Sequence, residues 1–146
     1  MGEAVEIRVK KLVATAQMPR YAHTGEYGDL AADLYAAEGI IIEPGTTVAV
    51  STGVAMEFPS THGALVEDRS GLALKGVTTL AGVIDPGYRG EIRVVVANLG
   101  PDAIVVKPGD RIAQLRIVRR IEARFEEVEE LAGAARGAGG FGSTGV

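Results

Sequence analysis

The chain has 146 residues, of which 47% are hydrophobic and 23% charged, and its formal net charge is −4 at pH 7. This composition is too apolar for a disordered chain, and the length suits one domain. The acidic balance argues against a nucleic-acid-binding surface. No apolar run approaches the roughly 18 residues that a membrane span needs. We therefore expect a soluble cytoplasmic protein, with no nucleic-acid or membrane partner, that binds small molecules or proteins.

The absence of cysteine limits the metal sites that the chain can form. Disulfides and thiolate metal ligands are excluded, and the two histidines, His23 and His62, are far apart in sequence. Any bound metal is therefore expected to be a hard ion held by oxygen.

Apolar and polar residues alternate along most of the chain, which is typical of half-buried strands. One helical turn is predicted at 70–75, with Ser70 as its cap. Pro-Gly pairs at 44–45, 86–87 and 108–109 predict tight turns. In chain order, strands are predicted at 5–10, 39–43, 47–58, 63–66, 91–98, 103–106 and 111–118. The pattern predicts an all-β domain, a sandwich, jelly roll or barrel, with one short helix.

The composition changes near Leu131, where small residues replace the alternating pattern. We expect a β domain at 1–130 and a flexible glycine-rich C-terminal arm at 131–146. A disordered low-complexity end is the alternative. Arg136 and Phe141 stand among the glycines and offer a permanent charge and a stacking face. The arm is therefore expected to close over a site built elsewhere.

Residues 137–142 match the spacing of the dinucleotide-binding fingerprint, and the same stretch nearly matches a P-loop. Both motifs need a helix after the glycines, and only four residues follow Gly142. In the P-loop comparison Ser143 also stands where the lysine is required. We reject both interpretations.

Two short segments carry groups suited to phosphate chemistry. Arg69, Ser70 and Gly71 combine a guanidinium, a hydroxyl and backbone amides, which suits an anion, although a salt-bridged arginine is the simpler interpretation. Asp85 and Tyr88 belong to one tight turn after an apolar run. Asp85 either starts that turn or, beside a phosphate, accepts a proton from water.

Two polar residues lie among strand-forming neighbours. Asp33 is costly to bury unless it is paired or close to a cation, so it is either a surface carboxylate or an outer-sphere contact to a metal ion. Gln114 interrupts an apolar strand and needs hydrogen-bond partners, which the backbone, water or a ligand can supply.

Five segments, taken in order, resemble the motifs of the trimeric dUTPase family (deoxyuridine triphosphate nucleotidohydrolases). The third contains Asp85 and Tyr88, and the fifth contains Arg136 and Phe141. The segments are residues 28–37, 68–73, 81–91, 109–115 and 136–145. The resemblance implies a jelly-roll-like fold and a homotrimer whose three active sites are each assembled from more than one subunit.

The resemblance also implies an activity, the hydrolysis of dUTP to dUMP and pyrophosphate. Asp85 would position and deprotonate the water that attacks the α-phosphorus. A Mg²⁺ ion chelated by the triphosphate would be reached through water by Asp33, and it would neutralise charge and orient the phosphates.

The same resemblance implies roles for the residues that contact the substrate. Phosphates would be held by Arg69, Ser70, Gly71 and Gln114. Tyr88 would pack on the deoxyribose and exclude a 2′-hydroxyl, and the hairpin residues Thr79, Gly82, Val83 and Ile84 would read the uracil edge. From the arm, Phe141 and Gly142 would cover the base, while Arg136, Ser143 and Thr144 would close on the terminal phosphate.

The sequence departs from the family pattern at two positions. Asp68 stands where many members have proline, and Thr79 stands where many have an asparagine that faces the base. Neither change removes a reacting group.

Two other functions compete with dUTP hydrolysis. A dCTP deaminase, including its bifunctional form, shares the fold but needs a glutamate where Val95 stands here. A noncatalytic nucleotide-binding trimer is the second, because geometry rather than residue identity makes a base.

Overall fold

The computed structural model describes residues 4–142 and contains ten strands and one short helix. This confirms the predicted all-β class and the single helix. The strand predicted at 91–98 agrees with the structure at both ends. That helix, with five residues, is too short to cross a membrane, and none that could is found in residues 4–142. The elements are β1 (Arg8–Lys11), β2 (Ala32–Tyr35), β3 (Ile40–Ile42), β4 (Thr47–Glu57), β5 (His62–Glu67), α1 (Ser70–Leu74), β6 (Val77–Thr79), β7 (Val83–Ile84), β8 (Glu91–Asn98), β9 (Ile104–Val106) and β10 (Arg111–Arg119).

The strands form two four-stranded sheets and one two-stranded ribbon. One sheet has the order β1-β4-β8-β6, the other the order β2-β10-β5-β7, and β3 pairs with β9. Every pair of neighbours is antiparallel. Strands that are distant in sequence lie side by side, as in a jelly roll. Within the described residues the sheets stay separate, so the fold is a sandwich rather than a closed barrel.

One apolar core lies between the two large sheets. Val50 and Val54 of β4 and Ile92 of β8 come from the first sheet, and Leu34 of β2 and Leu115 of β10 come from the second. All five are at most 2% exposed. Burial of such side chains is the main stabilising contribution to the fold.

The alternation predicted along 47–58 is interrupted in the middle of β4. The pairing of β4 with β8 shifts register between Ser51 and Ala55, and Gly53 has φ +68°. Thr52 is 1% exposed, and its hydroxyl donates to the carbonyl of Ile92. A bulge of this kind places consecutive residues on the same side of a strand, and sequence periodicity alone does not reveal it.

Helix α1 begins at Ser70, the residue that was predicted to be its N-cap. Arg69, in extended conformation, occupies the capping position and makes no side-chain capping hydrogen bond. Ser70 already lies in the first helical turn, so the prediction that Ser70 caps the helix is wrong. Its hydroxyl is therefore not committed to a capping bond.

Asn98 joins the end of β8 to the neighbouring loop and is 0% exposed. Its Nδ2 donates to the carbonyls of Ile42 (2.9 Å) and Asp102 (2.8 Å), and its Oδ1 accepts from the amide of Gly100 (3.0 Å). Three backbone groups are thus satisfied by one buried side chain.

We expect Asn98→Ala to lower the free energy of unfolding by about 2–4 kcal/mol, because it leaves these backbone groups unsatisfied. Leu99→Ala, at the next and largely exposed residue, is the control and should cost about 0.5 kcal/mol or less. Urea denaturation measures both values. Equal effects of the two substitutions would contradict this account of Asn98.

Candidate active site

Arg69 lies just after the end of β5, where its guanidinium faces β10 and β2. Its Nη1 donates to the carbonyl of Arg111 (3.3 Å), and its Nε lies 3.7 Å from Oδ1 of Asp33. Asp33 is on β2, which pairs with β10, so three separate segments meet here. The structure therefore brings together two residues, Arg69 and Asp33, that the family resemblance assigned to one site.

Asp33 lies between two guanidinium groups rather than on the open surface. Its side chain is 14% exposed, and Nη1 of Arg111 lies 3.8 Å from its second oxygen. One carboxylate thus faces two fixed cations, which leaves an excess of positive charge. Arg111 was not among the predicted site residues, although its position directly after the turn at 108–110 and before an apolar strand is a signal that could have identified it.

Gln114 contacts the backbone of the segment that carries Arg69. Its Nε2 donates to the carbonyl of Asp68 (2.8 Å), and in the sheet it pairs with Asp33 on one side and Glu67 on the other. Of the three partners that the sequence left open, the structure gives a backbone carbonyl. Gln114 therefore holds the start of the Arg69 segment against β10.

A groove of about 430 Å³ adjoins these residues. Arg69, Lys75 and Arg111 contribute three cationic side chains to its lining, and Gly71 and Gly109 contribute open backbone. No atom lies within 4 Å of the position where a Cβ of Gly71 would stand. Such a basic groove with accessible backbone suits a polyanion.

A short hairpin crosses from one sheet to the other. On the first sheet, the Leu80 amide donates to the Val95 carbonyl (2.9 Å), and on the second, the Val66 amide donates to the Gly82 carbonyl (2.8 Å). Ala81 has φ +59° and Gly82 φ +106°. A Cβ on Gly82 would lie 2.7 Å from the Val66 carbonyl oxygen, so this position needs glycine. The turn between the two strands is exposed at Leu80 and Ala81.

Asp85 follows β7 directly and is exposed. The turn that it opens is closed by a hydrogen bond from the Tyr88 amide to the Asp85 carbonyl (3.1 Å). The Tyr88 hydroxyl donates to the Glu91 carbonyl (2.7 Å), which fixes the ring beside Gly90. The structure thus places Asp85 and Tyr88 in one tight turn, as the sequence predicted.

The arm does not bring its aromatic residue to this hairpin in the described structure. The Phe141 side chain is fully exposed, and the Gly139 amide donates locally to the Arg136 carbonyl (3.0 Å). Ser143 and Thr144, which were also predicted to contact phosphate, lie outside the described residues. The roles of the arm residues therefore stay predictions.

The predicted site is divided into two clusters on one chain. Strand β5 pairs with β10 on one edge and with β7 on the other. Since Ile84 pairs with Ala64, Asp85 lies beside Gly63, six positions before Arg69. At about 3.3 Å per residue, these positions are on the order of 20 Å apart along the strand. Within one chain the backbone positions of Asp85 and Arg69 are therefore far apart.

The residues near Asp33 offer few side-chain ligands to a metal ion. Among residues 4–142 no group of three or more His, Asp or Glu side chains could enclose one. Mg²⁺ prefers six oxygen ligands and keeps several waters. Asp33 therefore fits an ion that brings its own phosphate and water ligands and touches the protein through water.

We expect Asp33→Asn to destabilise the protein by about 1–2 kcal/mol, because two guanidinium groups would face each other without their carboxylate. The double variant Asp33→Asn/Arg111→Gln should recover part of this loss. Asp102→Asn, at an exposed carboxylate, is the control. Chemical denaturation measures these variants and Arg111→Gln alone, which completes the double-mutant cycle. Additive effects in the double variant would show that the charges are not coupled.

Comparison with known proteins gives one consistent answer. Residues 15–145 match the family model for dUTPase. A deoxyuridine 5'-triphosphate nucleotidohydrolase of Solibacter usitatus is 48% identical, with 97% of each chain covered, and one of Thermobifida fusca is 46% identical, with 97% of this chain and 79% of the relative covered. Among solved structures, the Staphylococcus bacteriophage 80alpha dUTPase G164S mutant with dUpNHpp is similar, with a TM-score of 0.84, 27% identity, and 97% and 99% of the two chains covered. This chain belongs to the dUTPase family.

Proposed function

We propose that this protein hydrolyses dUTP to dUMP and pyrophosphate. The observation that carries the proposal is the hairpin from Thr79 to Tyr88, which holds an exposed carboxylate at the end of β7, the strand that follows an exposed backbone turn. A base bound by that turn would lie next to the group that activates water. Family membership supports the same activity.

Asp85 is the general base of the proposed reaction. Its carboxylate accepts a proton from a water molecule as the water oxygen bonds to the α-phosphorus. The bond from that phosphorus to the oxygen bridging to the β-phosphorus breaks, and pyrophosphate leaves with the electron pair. The exposure of Asp85 and its fixed turn leave room for the water and define its direction.

The hairpin supplies selectivity for the nucleoside. Backbone groups of Thr79, Gly82, Val83 and Ile84, other than the Thr79 amide and the Gly82 carbonyl, pair with the uracil edge, and the hairpin leaves no space for a thymine methyl. Tyr88 packs on the deoxyribose, where a 2′-hydroxyl would collide with the ring.

The basic groove receives the phosphates. Arg69 supplies a bidentate guanidinium, Ser70 a hydroxyl, Gly71 a backbone amide and Gln114 the hydrogen of Nε2 that is not given to Asp68. Asp33 would hold, through water, a Mg²⁺ ion chelated by the triphosphate, and such an ion would neutralise part of the phosphate charge.

The division of the site along β5 supports a homotrimer with shared active sites. Because Asp85 and Arg69 are on the order of 20 Å apart on one chain, one substrate contacts the Asp85 of one subunit and the Arg69 of another. The arm, proposed as residues 131–146, reaches a neighbouring site, where Phe141 and Gly142 cover the base and Arg136, Ser143 and Thr144 close on the terminal phosphate. The full exposure of Phe141 in the isolated chain agrees with this arrangement.

The two alternatives are less well supported. Val95, at the position where a deaminase needs glutamate, has no group that could transfer a proton, and it pairs with Ala49 inside the sheet. A noncatalytic trimer would not require an exposed carboxylate at the hairpin end. The family match is to dUTPase.

Asp85→Asn should lower pyrophosphate release from dUTP about 10²–10⁴-fold, because the amide cannot accept the proton. Wild-type protein and the variant are assayed with Mg²⁺ against dUTP, dCTP, dTTP and UTP in parallel. Asp102→Asn serves as the control for loss of an acidic charge. Ammonia release from dCTP would support the deaminase instead, and nucleotide binding without any turnover would support the noncatalytic trimer.

Mixing two inactive variants tests whether sites are shared. Trimers of Asp85→Asn alone or Arg69→Ala alone should be nearly inactive. After the two variants are unfolded together and reassembled, mixed trimers contain some sites with both residues intact, and activity should return to about a tenth or more of wild type. Each variant reassembled alone is the control. If mixing restores nothing while mass spectrometry shows mixed trimers, each site belongs to one chain.

A further inference from the structure

Strand β6 lies at the edge of its sheet, with β8 as its neighbour on one side. The Leu80 amide donates to the Val95 carbonyl across this pair. Amides of successive residues in an antiparallel strand point to opposite sides, so the Thr79 amide faces away from β8. An edge amide of this kind needs a partner from outside the sheet.

The Asp68 carboxylate supplies that partner. Its Oδ1 accepts from the Thr79 amide (2.6 Å), and its Oδ2 accepts from the Thr78 hydroxyl (2.7 Å). Burial raises the pKa of Asp68, but the hydrogen bonds from Thr79 and Thr78 outweigh burial, so the pKa lies below its ordinary value. The carboxylate is therefore ionised at neutral pH, and both of its oxygens are used.

Asp68 and Val66 together hold both ends of the hairpin turn. The Val66 amide of β5 donates to the Gly82 carbonyl, and the carboxylate of Asp68, just after β5, accepts from the Thr79 amide. These two bonds hold the four residues 79–82 between them. Ala81, inside this span, has φ +59°, a conformation that a residue with a Cβ seldom adopts. Such a conformation persists when the surrounding bonds determine it.

We propose that Asp68 is a positioning residue that fixes the base-reading hairpin and thereby sets the selectivity for uracil over thymine. The proposal rests on the proposed function, since it assigns a base to the turn at 79–82. Asp68 acts through Thr79 and Thr78 and not by touching substrate. Its backbone carbonyl accepts from Gln114, so the same residue also joins the hairpin to β10.

Amide hydrogen exchange tests the contact without any nucleotide. In Asp68→Ala the Thr79 amide should exchange about tenfold faster or more, because it loses a hydrogen bond to a charged acceptor. The Leu80 amide, bonded to Val95, is the internal reference and should change less. Asp68→Asn, which keeps a weaker neutral acceptor, should lie between Asp68→Ala and wild type.

Kinetics test the consequence for base recognition. In Asp68→Ala the KM for dUTP should rise about tenfold while kcat stays within about twofold, because Asp68 holds the turn at 79–82, which binds the base, and does not contact Asp85. The preference for dUTP over dTTP, expressed as the ratio of kcat/KM values, should fall about fivefold or more. Thr78→Val removes only the second hydrogen bond and should give a smaller change of the same kind. Glu57→Gln, which removes an exposed carboxylate on β4, controls for charge.

The outcomes separate this proposal from the proposed function. Unchanged Thr79 exchange in Asp68→Ala, or a loss of kcat with KM and base preference unaltered, overturns the positioning role. If wild-type protein hydrolyses no dUTP, the proposed function fails, and the assignment of a base to the hairpin fails with it, while the exchange data still decide whether Asp68 holds Thr79. If Asp68→Ala does not fold, hydrogen exchange and kinetics are measured on Asp68→Asn and Thr78→Val instead.

Discussion

The pairing of β5 on both of its edges is the constraint on which the site depends. One edge holds β10, and through it β2 with Asp33, while the other holds β7 and the turn of Asp85. Because hydrogen bonds fix the register on both sides, neither cluster can slide toward the other without breaking a ladder. The fold therefore presents a basic groove and an acidic turn at separate ends of one strand. In the proposed homotrimer, a second chain brings such ends together.

The local part of this arrangement follows from the sequence. Alternating residues predicted most strands, and the Pro-Gly turn after an apolar run correctly placed Asp85 and Tyr88 in one turn. These features depend on neighbours within a few residues, where periodicity and turn chemistry are informative. The roles of the site residues came from the resemblance to a family. That resemblance was recognised from five motifs in a fixed order. The residues alone left Asp33 and Gln114 with several possible partners.

Contacts between distant segments could not be predicted in the same way. Three contacts link segments that are distant in sequence and that the sheet order makes neighbours. They are the hydrogen bond from Gln114 to Asp68, the ion pairs of Asp33 with two arginines, and the hydrogen bond from Thr79 to Asp68. The bulge at Gly53 interrupts an otherwise regular pattern for the same reason, since Thr52 is fixed by Ile92 on another strand. Pairing of this kind depends on tertiary structure, which a single sequence does not specify.

The position of Asp33 between Arg69 and Arg111 has a consequence for the end of the catalytic cycle. In the free protein the carboxylate partly neutralises both cations, so a bound triphosphate must compete with it for the guanidinium groups. In the proposed function, the triphosphate displaces the carboxylate because it carries the larger charge. Once the chain of phosphates is cut, each product carries less charge, and Asp33 regains its partners more easily. In the proposed function, the carboxylate thus favours the departure of the products.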